Sequence, residues 1–282
     1  MIEVLAPGPY ATVQDLGRPG YAHLGVPTSG AADTVSLRLA NRLVGNAEGL
    51  AGIELTFGLA RLLFLDGAWV ALAGAPVAAG PVRGAGMALP FWVPPGTELR
   101  LGAPERGLRT YLAVRGGIAV EPVLGSRSTD SLSGLGPEPL RAGTLLPVGR
   151  PEGVISVDQA PLPQPRPPVL RVLPGPRDDW FAAEALADLC SRPYAVSQDS
   201  NRVGVRLTGP ELARAREGEL PSEGMVVGAV QVPPSGQPIV FLADHPPTGG
   251  YPVIGVVRAA DLPVAAQLKP GDEVRFTVRP AR

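Results

Sequence analysis

The chain has 282 residues, of which 45% are hydrophobic, enough for a substantial core in one large β domain or in two domains of ordinary size. Its 36 glycines and 34 prolines stand between short apolar runs, which predicts many short strands joined by tight turns. The formal net charge is −1, and no long run of either sign indicates the cationic surface that non-specific nucleic-acid binding requires.

The N-terminal half is predicted to consist mainly of strands, with one helix between the first two of them. The helix is expected at residues 31–43, with Ser29 or Asp33 at its start and Gly45 at its end. Its apolar residues Val35, Leu39 and Leu43 lie four apart. Apolar runs predict strands near residues 2–5, 52–57, 61–65, 69–73, 88–93, 97–101, 109–114, 143–147 and 153–157.

A proline-rich segment at residues 159–168 is predicted to be a semi-rigid linker. Short sequence echoes on either side of it, EVLAPGP with RVLPGP and PPGTELRL with KPGDEVRF, favour two β units of related topology. We therefore expect an N-terminal domain at residues 1–165 and a C-terminal domain at residues 166–282. The boundary between them is approximate.

The C-terminal half is again predicted to be rich in strands. Two helices are expected here, at residues 178–190 and at residues 261–268, where Asp261 would cap the second helix. Strands are expected near residues 169–173, 194–197, 203–208, 225–232, 238–243, 252–257 and 273–278.

Residues 222–251 form the richest candidate site of the sequence. Two predicted strands end there at the turns PPSGQP and DHPPTGGYP, whose prolines are rigid and whose glycines allow close approach of a ligand. Such loops are a plausible wall of a binding site, and ordinary surface turns are the alternative. The polar residues of the segment are Glu223, Gln231, Ser235, Gln237, Asp244, His245, Thr248 and Tyr251.

Polar residues also gather near the first helix and in two later loops. Near the helix they predict either an anion site at its N-terminus, or a cap at Ser29 and a surface salt bridge between Asp15 and Arg18. The loop GSRSTD at residues 125–130 would bind a carboxylate or phosphate through Arg127 and two hydroxyls, or form a polar turn. In SNRVG, Asn201 and Arg202 suit either a turn or a ligand clamp. The polar residues near the helix are Gln14, Asp15, Arg18, His23, Ser29, Asp33 and Asn41.

Motifs that would identify several other protein classes are missing. Lys269 is the only lysine, so the chain has neither a Walker A loop nor the acceptor lysine of a biotin carrier. Without G-x-S-x-G or G-x-G-x-x-G, an α/β-hydrolase and a dinucleotide-binding fold are disfavoured. The only histidines, His23 and His245, form no metal-binding pattern, so no metal site is expected.

Cysteine usage and hydropathy predict a cytoplasmic protein. Cys190 is the only cysteine, which excludes an internal disulfide and is typical of a reducing compartment; we expect it to pack in the core rather than act as a nucleophile. The N-terminus is unlike a signal peptide, and the most apolar stretch, residues 68–82, is too short and too rich in glycine and proline to cross a bilayer. No membrane or nucleic-acid partner is therefore expected.

Several blocks of the sequence together resemble one protein family over nearly the whole chain. The blocks are TVQDLGRPGY, GVPTSGAAD, GSRST, SNRVGVRLTG, SEGMVVGAVQVPPSGQPI and ADHPPTGGYP. They are similar to the C subunit of 5-oxoprolinase, whose family includes allophanate hydrolase subunit 2, the second half of the urea carboxylase carboxyltransferase domain and the antagonist of the kinase inhibitor KipI. The resemblance implies a mainly β fold of two cyclophilin-like β-barrel domains with a few short helices.

The same resemblance implies membership of an ATP-dependent 5-oxoprolinase complex, which opens 5-oxo-L-proline to L-glutamate. Its partners would be a KipI-like B subunit and a lactam-hydrolysing A subunit, with Mg-ATP bound at the level of the complex. One alternative is a carboxyltransferase half that acts on urea or a related amide, with biotin carried on another chain. The other is a regulatory binding protein that antagonises a kinase inhibitor.

Roles for individual residues follow from the resemblance. Asp244 would accept a hydrogen bond from the substrate N–H, and Gln231, Thr248 and the backbone of Gly249 and Gly250 would donate to a carbonyl or phosphoryl oxygen. The residues implied to orient a carboxylate or phosphate, or to bind the substrate beside these donors, are Arg18, Asn201, Arg202 and Tyr251. His245 is given no role.

Overall fold

The structure is a computed structural model that describes residues 1–162, 164–216, 218 and 220–278. The chain folds into two compact units. The described residues are mainly β, with three short helices, and none of those helices has the length and apolar character needed to cross a membrane. The first unit comprises Met1–Arg18, Ser29–Asp130 and Gly134–Gln164, and the second comprises Pro19–Thr28, Ser131–Ser133 and the chain from Pro165 onward.

The first unit is built from two five-stranded antiparallel sheets. Its strands are β1 (Ile2–Ala6), β2 (Tyr10–Gln14), β3 (Gly52–Thr56), β4 (Arg61–Phe64), β5 (Ala68–Gly74), β6 (Ala79–Gly80), β7 (Pro90–Val93), β8 (Thr97–Leu101), β9 (Arg109–Val114) and β10 (Leu145–Leu146). One sheet has the order β10-β1-β4-β8-β6 and the other β2-β3-β9-β5-β7. The closed barrel predicted for this half is therefore replaced by two sheets, because the edge strands β6 and β10 are only two residues long and pair within their own sheet.

Two strand predictions in this unit need correction. Tyr10–Gln14, for which the apolar pattern predicts no strand, forms β2 because it pairs along its whole length with β3. Residues 153–157, predicted to be a strand, have no ladder partner among the described residues. There the backbone of Gly153 lies directly against the carbonyl of Gly45, which leaves no room for a side chain.

Helix α1 (Thr34–Leu43) confirms the predicted helix, although it starts later and buries a different face. Asp33 is the N-cap, and its carboxylate accepts hydrogen bonds from the Ser36 backbone and hydroxyl at 3.0 and 2.6 Å. The helix ends before Gly45, which has the positive φ of 70° that favours glycine. The inward face consists of Leu37, Ala40 and Leu43, whereas Val35 is exposed.

The second unit is organised around a closed seven-stranded barrel. Its strands are β11 (Val169–Pro174), β12 (Tyr194–Val196), β13 (Gly204–Thr208), β14 (Glu223–Gly224), β15 (Ala229–Gln231), β16 (Ile239–Phe241), β17 (Thr248–Gly249), β18 (Val253–Val257) and β19 (Glu273–Val278). The barrel order is β11-β18-β15-β16-β13-β12-β19, and the parallel pairing of β19 with β11 closes it. The two-residue strands β14 and β17 pair as a separate ribbon.

Both predicted helices of this unit are shorter than expected. Residues 178–190 divide into a 3₁₀ turn, Asp178–Trp180, and helix α2 (Ala185–Ser191), because the buried Phe181 between them is extended. Helix α3 (Leu262–Ala266) follows Asp261, but that side chain does not cap it. Asp261 instead accepts hydrogen bonds from the backbone and guanidinium of Arg171, which lies on β11.

Candidate functional site

The predicted site residues of the second unit fall into two groups at opposite ends of strand β16. Gln231, at the end of β15, pairs with Ile239 at the start of β16. Asp244 follows the other end of β16, where its backbone N–H bonds to the carbonyl of Arg202 before β13. The structure therefore brings Gln231 together with the segment 248–251, and Asp244 together with Arg202, rather than joining all of them in one cluster.

Asp244 lies in a buried ion pair. Its carboxylate, which is fully buried, accepts hydrogen bonds from Nε and Nη2 of Arg202, both at 2.9 Å. The same carboxylate accepts from the backbone N–H of Ser131 at 3.0 Å and from its hydroxyl at 2.6 Å. Because the carboxylate is already engaged by the protein, this geometry fits a role in holding Arg202 and Ser131 better than direct contact with a substrate N–H.

The neighbours of this ion pair have structural hydrogen bonds of their own. Asn201 is exposed, and its side-chain oxygen accepts from the backbone N–H of Val203 at 2.8 Å, which is the geometry of a local turn. His245 is buried beside the ring of Phe241, and its Nδ1 lies 2.8 Å from the carbonyl of Leu242. This hydrogen bond agrees with the turn, and the ligand clamp of Asn201 and Arg202 stays a prediction.

Gln231 forms the centre of the second group. It is 5% exposed, and its Nε2 donates to the carbonyl of Tyr251 at 3.1 Å. A Cβ atom at Gly249 would lie 2.7 Å from the same Nε2, so glycine is what permits the backbone to approach the amide. Since an amide nitrogen has two N–H groups, one donor of Gln231 remains for another acceptor.

The turns on either side of this group are closed by backbone hydrogen bonds. In PPSGQP the backbone N–H of Gly236 bonds to the carbonyl of Pro233 at 3.0 Å. In the second turn Thr248 is exposed on the short strand β17, which pairs with β14 through Glu223 and Gly224. Gly250, half-buried, accepts a backbone hydrogen bond from Leu220 at 3.0 Å.

Arginines that the sequence analysis did not single out lie beside this group. The guanidinium of Arg214 stands over the ring of Tyr251, 5.8 Å from its centroid, and donates to the carbonyl of Val232 at 2.6 Å. Arg177 holds Glu223 in an ion pair, and its hydrogen bond lowers the pKa of that carboxyl. Neither arginine belongs to a recognisable motif, because only the fold brings residues 177 and 214 next to residues 223 and 251.

Arg18 belongs to the first unit and is 1% exposed there. Its Nη2 donates to the carbonyl of Ser128, its Nε to the carbonyl of Val123 at 3.4 Å, and its Nη1 lies 4.0 Å from a carboxylate oxygen of Asp130. The guanidinium is thus used in part to bind the backbone of the loop at residues 123–130. The surface salt bridge considered between Asp15 and Arg18 is not formed.

Asp15 instead organises the loop GSRSTD. Its carboxylate accepts hydrogen bonds from the hydroxyls of Ser126 and Ser128 and from the backbone of Arg127, each at 2.6 Å. The two hydroxyls that were predicted to bind an anion therefore donate to Asp15, and Nε of Arg127 donates to the carbonyl of Val120. This loop is a buried structural connection rather than an open anion site.

The remaining candidates have local roles. Ser29 is not the cap of α1, because its hydroxyl donates to the carbonyl of Thr129 at 3.1 Å. Cys190 is half-buried, and burial raises the pKa of its thiol, which works against a nucleophilic role. Over the described ranges, no group of three or more His, Cys, Asp and Glu side chains is arranged to hold a metal ion.

Comparisons with known proteins relate the chain to one family. A family model described as carboxyltransferase domain, subdomain A and B, matches residues 24–278. The C subunit of the 5-oxoprolinase of Escherichia coli (strain K12) is 39% identical over 282 residues, which cover 98% of this chain and 90% of that protein. The urea amidolyase of Lachancea kluyveri is 36% identical over 307 residues, which cover 97% of this chain but 17% of that protein.

The fold is also found among solved structures. The crystal structure of TTHA0988 superposes with a TM-score of 0.87 at 41% sequence identity over 98% of this chain. The match covers 55% of the TTHA0988 chain, so the present chain spans about half the length of that relative.

Proposed function

The chain belongs to the carboxyltransferase subdomain A and B family, and we propose that it serves as the C subunit of an ATP-dependent 5-oxoprolinase. The complex would open the lactam ring of 5-oxo-L-proline to give L-glutamate. The observation that supports this choice is the extent of the similarity. The chain matches 90% of the length of a 5-oxoprolinase C subunit but 17% of a urea amidolyase.

In this proposal the substrate lactam lies against the group of Gln231, Gly249, Gly250 and Thr248. Negative charge grows on the carbonyl oxygen when an amide is attacked or phosphorylated, and hydrogen-bond donors placed there in advance stabilise it. The free N–H of the buried Gln231 amide suits this task, since its other N–H is held by the Tyr251 carbonyl and so fixes the side chain. The hydroxyl of the exposed Thr248 is a second donor.

Asp244 and Arg202 take a supporting part in this proposal, and the roles of Asn201 and Arg18 stay predictions. The Asp244–Arg202 pair and Ser131 form a buried, hydrogen-bonded network that fixes the loops after β16 and before β13. We assign Asp244 a positioning role, in which the carboxylate acts through Arg202 and Ser131 rather than on the substrate. Direct contact of Asp244 with the substrate N–H would require this network to open.

The proposal also includes the rest of the complex. The Escherichia coli relative is named as one subunit of its enzyme, which implies partner chains for that protein. For the present chain we propose a KipI-like B subunit and a lactam-hydrolysing A subunit, with Mg-ATP bound by the assembled complex, in the cytoplasm. We further propose that residues 1–165 and 166–282 are separate domains, and that the second, which contains the closed barrel, is of cyclophilin-like type.

A carboxyltransferase half is the second candidate function. The 36% identity with a urea amidolyase favours it, because that protein contains a region similar to nearly the whole present chain. In that case the same donors would hold urea or a related amide, and biotin would be carried on another chain. The regulatory alternative, antagonism of a kinase inhibitor, stays a prediction.

Reconstitution tests the proposal. The chain is mixed with its candidate A and B subunits, 5-oxo-L-proline and Mg-ATP, and glutamate and ADP are followed while one component at a time is omitted. Glutamate release that requires this chain supports the 5-oxoprolinase assignment. An intact complex that releases no glutamate contradicts it, and carboxylation of urea by the chain with a biotin carrier would then favour the second candidate.

A further inference from the structure

Two arginines on one segment of the second unit have similar positions but different partners. Arg214 stands 5.8 Å from the ring centroid of Tyr251, and Arg216 stands 5.9 Å from that of Trp180. Arg216 is paired with the carboxylate of Asp179 at 3.0 Å. Over the part of the chain that the structure describes, no carboxylate lies within salt-bridge distance of Arg214. Among the described residues, the two arginines therefore differ in whether a carboxylate pairs with the guanidinium.

The guanidinium of Arg214 is held in place by carbonyl groups. Nη2 donates to Val232 at 2.6 Å and Nη1 donates to Gly218 at 3.3 Å. Its Nε is shielded from solvent and has no acceptor among the described residues. A guanidinium has five N–H groups, so N–H donors of Arg214 remain after these two hydrogen bonds to carbonyl groups. Because Nε is shielded, the donors that a further partner can reach are the N–H groups of Nη1 and Nη2 that these two carbonyls do not engage.

The position of Arg214 links it to the proposed donor group. Arg214 contacts the ring of Tyr251 and the carbonyl of Val232, and Gln231 lies next to Val232 in sequence while bonding to the carbonyl of Tyr251. A cation and an amide donor therefore flank the same tyrosine. A small molecule with a carboxylate next to an amide carbonyl matches this pair, because the planar guanidinium fork fits a carboxylate.

We propose that Arg214 binds the carboxylate of the substrate and so selects small amides that carry an acid group over neutral ones. This inference rests on the proposed function and names the substrate class of that same site. Arg214 holds the acid group of 5-oxo-L-proline while Gln231 faces the lactam carbonyl. Urea, which lacks a carboxylate, gains nothing from Arg214.

The test measures kcat and KM of the reconstituted complex with variants Arg214→Gln and Arg216→Gln. The second variant is a matched control, since it removes an arginine two positions away that also lies over an aromatic ring. Arg214→Gln is expected to raise KM for 5-oxo-L-proline roughly 10- to 100-fold, the loss of a charge-assisted hydrogen bond, with kcat changed less than about threefold. Arg216→Gln is expected to leave KM within about twofold.

A second ligand separates carboxylate recognition from general damage to the site. 2-Pyrrolidinone is the same lactam without the carboxylate, and its inhibition constant is expected to be equal for the wild type and Arg214→Gln. Arg214→Lys, which keeps the charge but not the planar fork, is expected to give an intermediate KM for 5-oxo-L-proline. It also serves as the test variant if Arg214→Gln does not fold.

The outcomes are distinct for the inference and for the function on which it rests. An active wild-type complex in which Arg214→Gln and Arg216→Gln have the same KM overturns the role of Arg214. An equal loss of affinity for 5-oxo-L-proline and 2-pyrrolidinone overturns it as well, because the effect would then not depend on the carboxylate. A wild-type complex that is intact but releases no glutamate overturns the proposed function itself.

Discussion

Removal of the Asp244 carboxylate is expected to destabilise the second unit strongly. Asp244 is fully buried, and its carboxylate accepts hydrogen bonds from the guanidinium of Arg202 and from the backbone and hydroxyl of Ser131. In Asp244→Ala the Arg202 guanidinium, which is 2% exposed, would lose the charge and the hydrogen bonds of this carboxylate. Such losses lower the free energy of unfolding by about 3–5 kcal/mol, a large share of the roughly 5–15 kcal/mol that typically stabilises a protein.

The assay can report on the second unit alone. Trp180 lies in that unit, and Trp69 and Trp92 lie in the first, so a Trp69→Phe/Trp92→Phe background leaves one tryptophan to follow during urea denaturation. Glu273→Gln is the matched control, because it also removes one negative charge from the same barrel but at an exposed position. It is expected to change the free energy of unfolding by less than about 0.5 kcal/mol.

A double variant separates the effect of the unpaired charge from the effect of the lost side-chain volume. Arg202→Met/Asp244→Leu replaces both charges by apolar groups and is expected to be more stable than Asp244→Ala, since no uncompensated charge remains. The reasoning fails if Asp244→Ala unfolds within about 1 kcal/mol of the wild type, or if the double variant is the less stable of the two.

Two further predictions concern the ribbon of β14 and β17 and the loss of folding stability at low pH. Gly249→Ala is expected to displace the Gln231 amide and to lower the activity of the complex at least tenfold. Gly224→Ala is the control, because a Cβ atom there meets open space, and it is expected to leave activity unchanged. Comparable activity of the two variants would contradict this prediction. A hydrogen bond from Arg171 lowers the pKa of Asp261 in the folded protein. The ionised Asp261 therefore stabilises the fold above the unfolded pKa of about 3.9, and this stabilisation is lost as the pH falls through the lower folded pKa. Asp261→Asn should therefore flatten the decline of stability in that acid range, and unchanged acid denaturation would refute the assignment.

The sequence predicts a strand well where the apolar segment pairs with a neighbouring strand of similar length. The strand expected at residues 273–278 is present as β19 with the same bounds. The expected strand at residues 225–232 shrinks to Ala229–Gln231, because Val226 and Val227 are exposed rather than paired in the barrel. An apolar and β-branched composition indicates that a segment can be extended, but the register of the neighbouring strands decides how much of it is.

The candidate site was less predictable, because it depends on contacts between residues far apart in sequence. The turn residues from 244 to 251 stand out by composition, yet sequence alone cannot show that Asp244 and Gln231 flank opposite ends of β16. Arg214 lies in a segment without any motif, and its approach to Tyr251 is visible only in the folded structure. Hydrogen-bond saturation is a property of the folded structure, so no spacing rule could reveal it.

Saturation offers a physical criterion for which of these polar groups bind ligand. Asp15 and Asp244 are surrounded by donors of the chain, which makes each of them a fixed part of the fold. Gln231 and Arg214 are fixed by some of their N–H groups and keep others in reserve. A group that is both immobilised and incompletely satisfied loses little entropy on binding and regains a hydrogen bond that folding left unmade. This criterion supports the proposal that recognition belongs to the end of the barrel at Gln231, with the ion pair at the other end of β16 holding the loops.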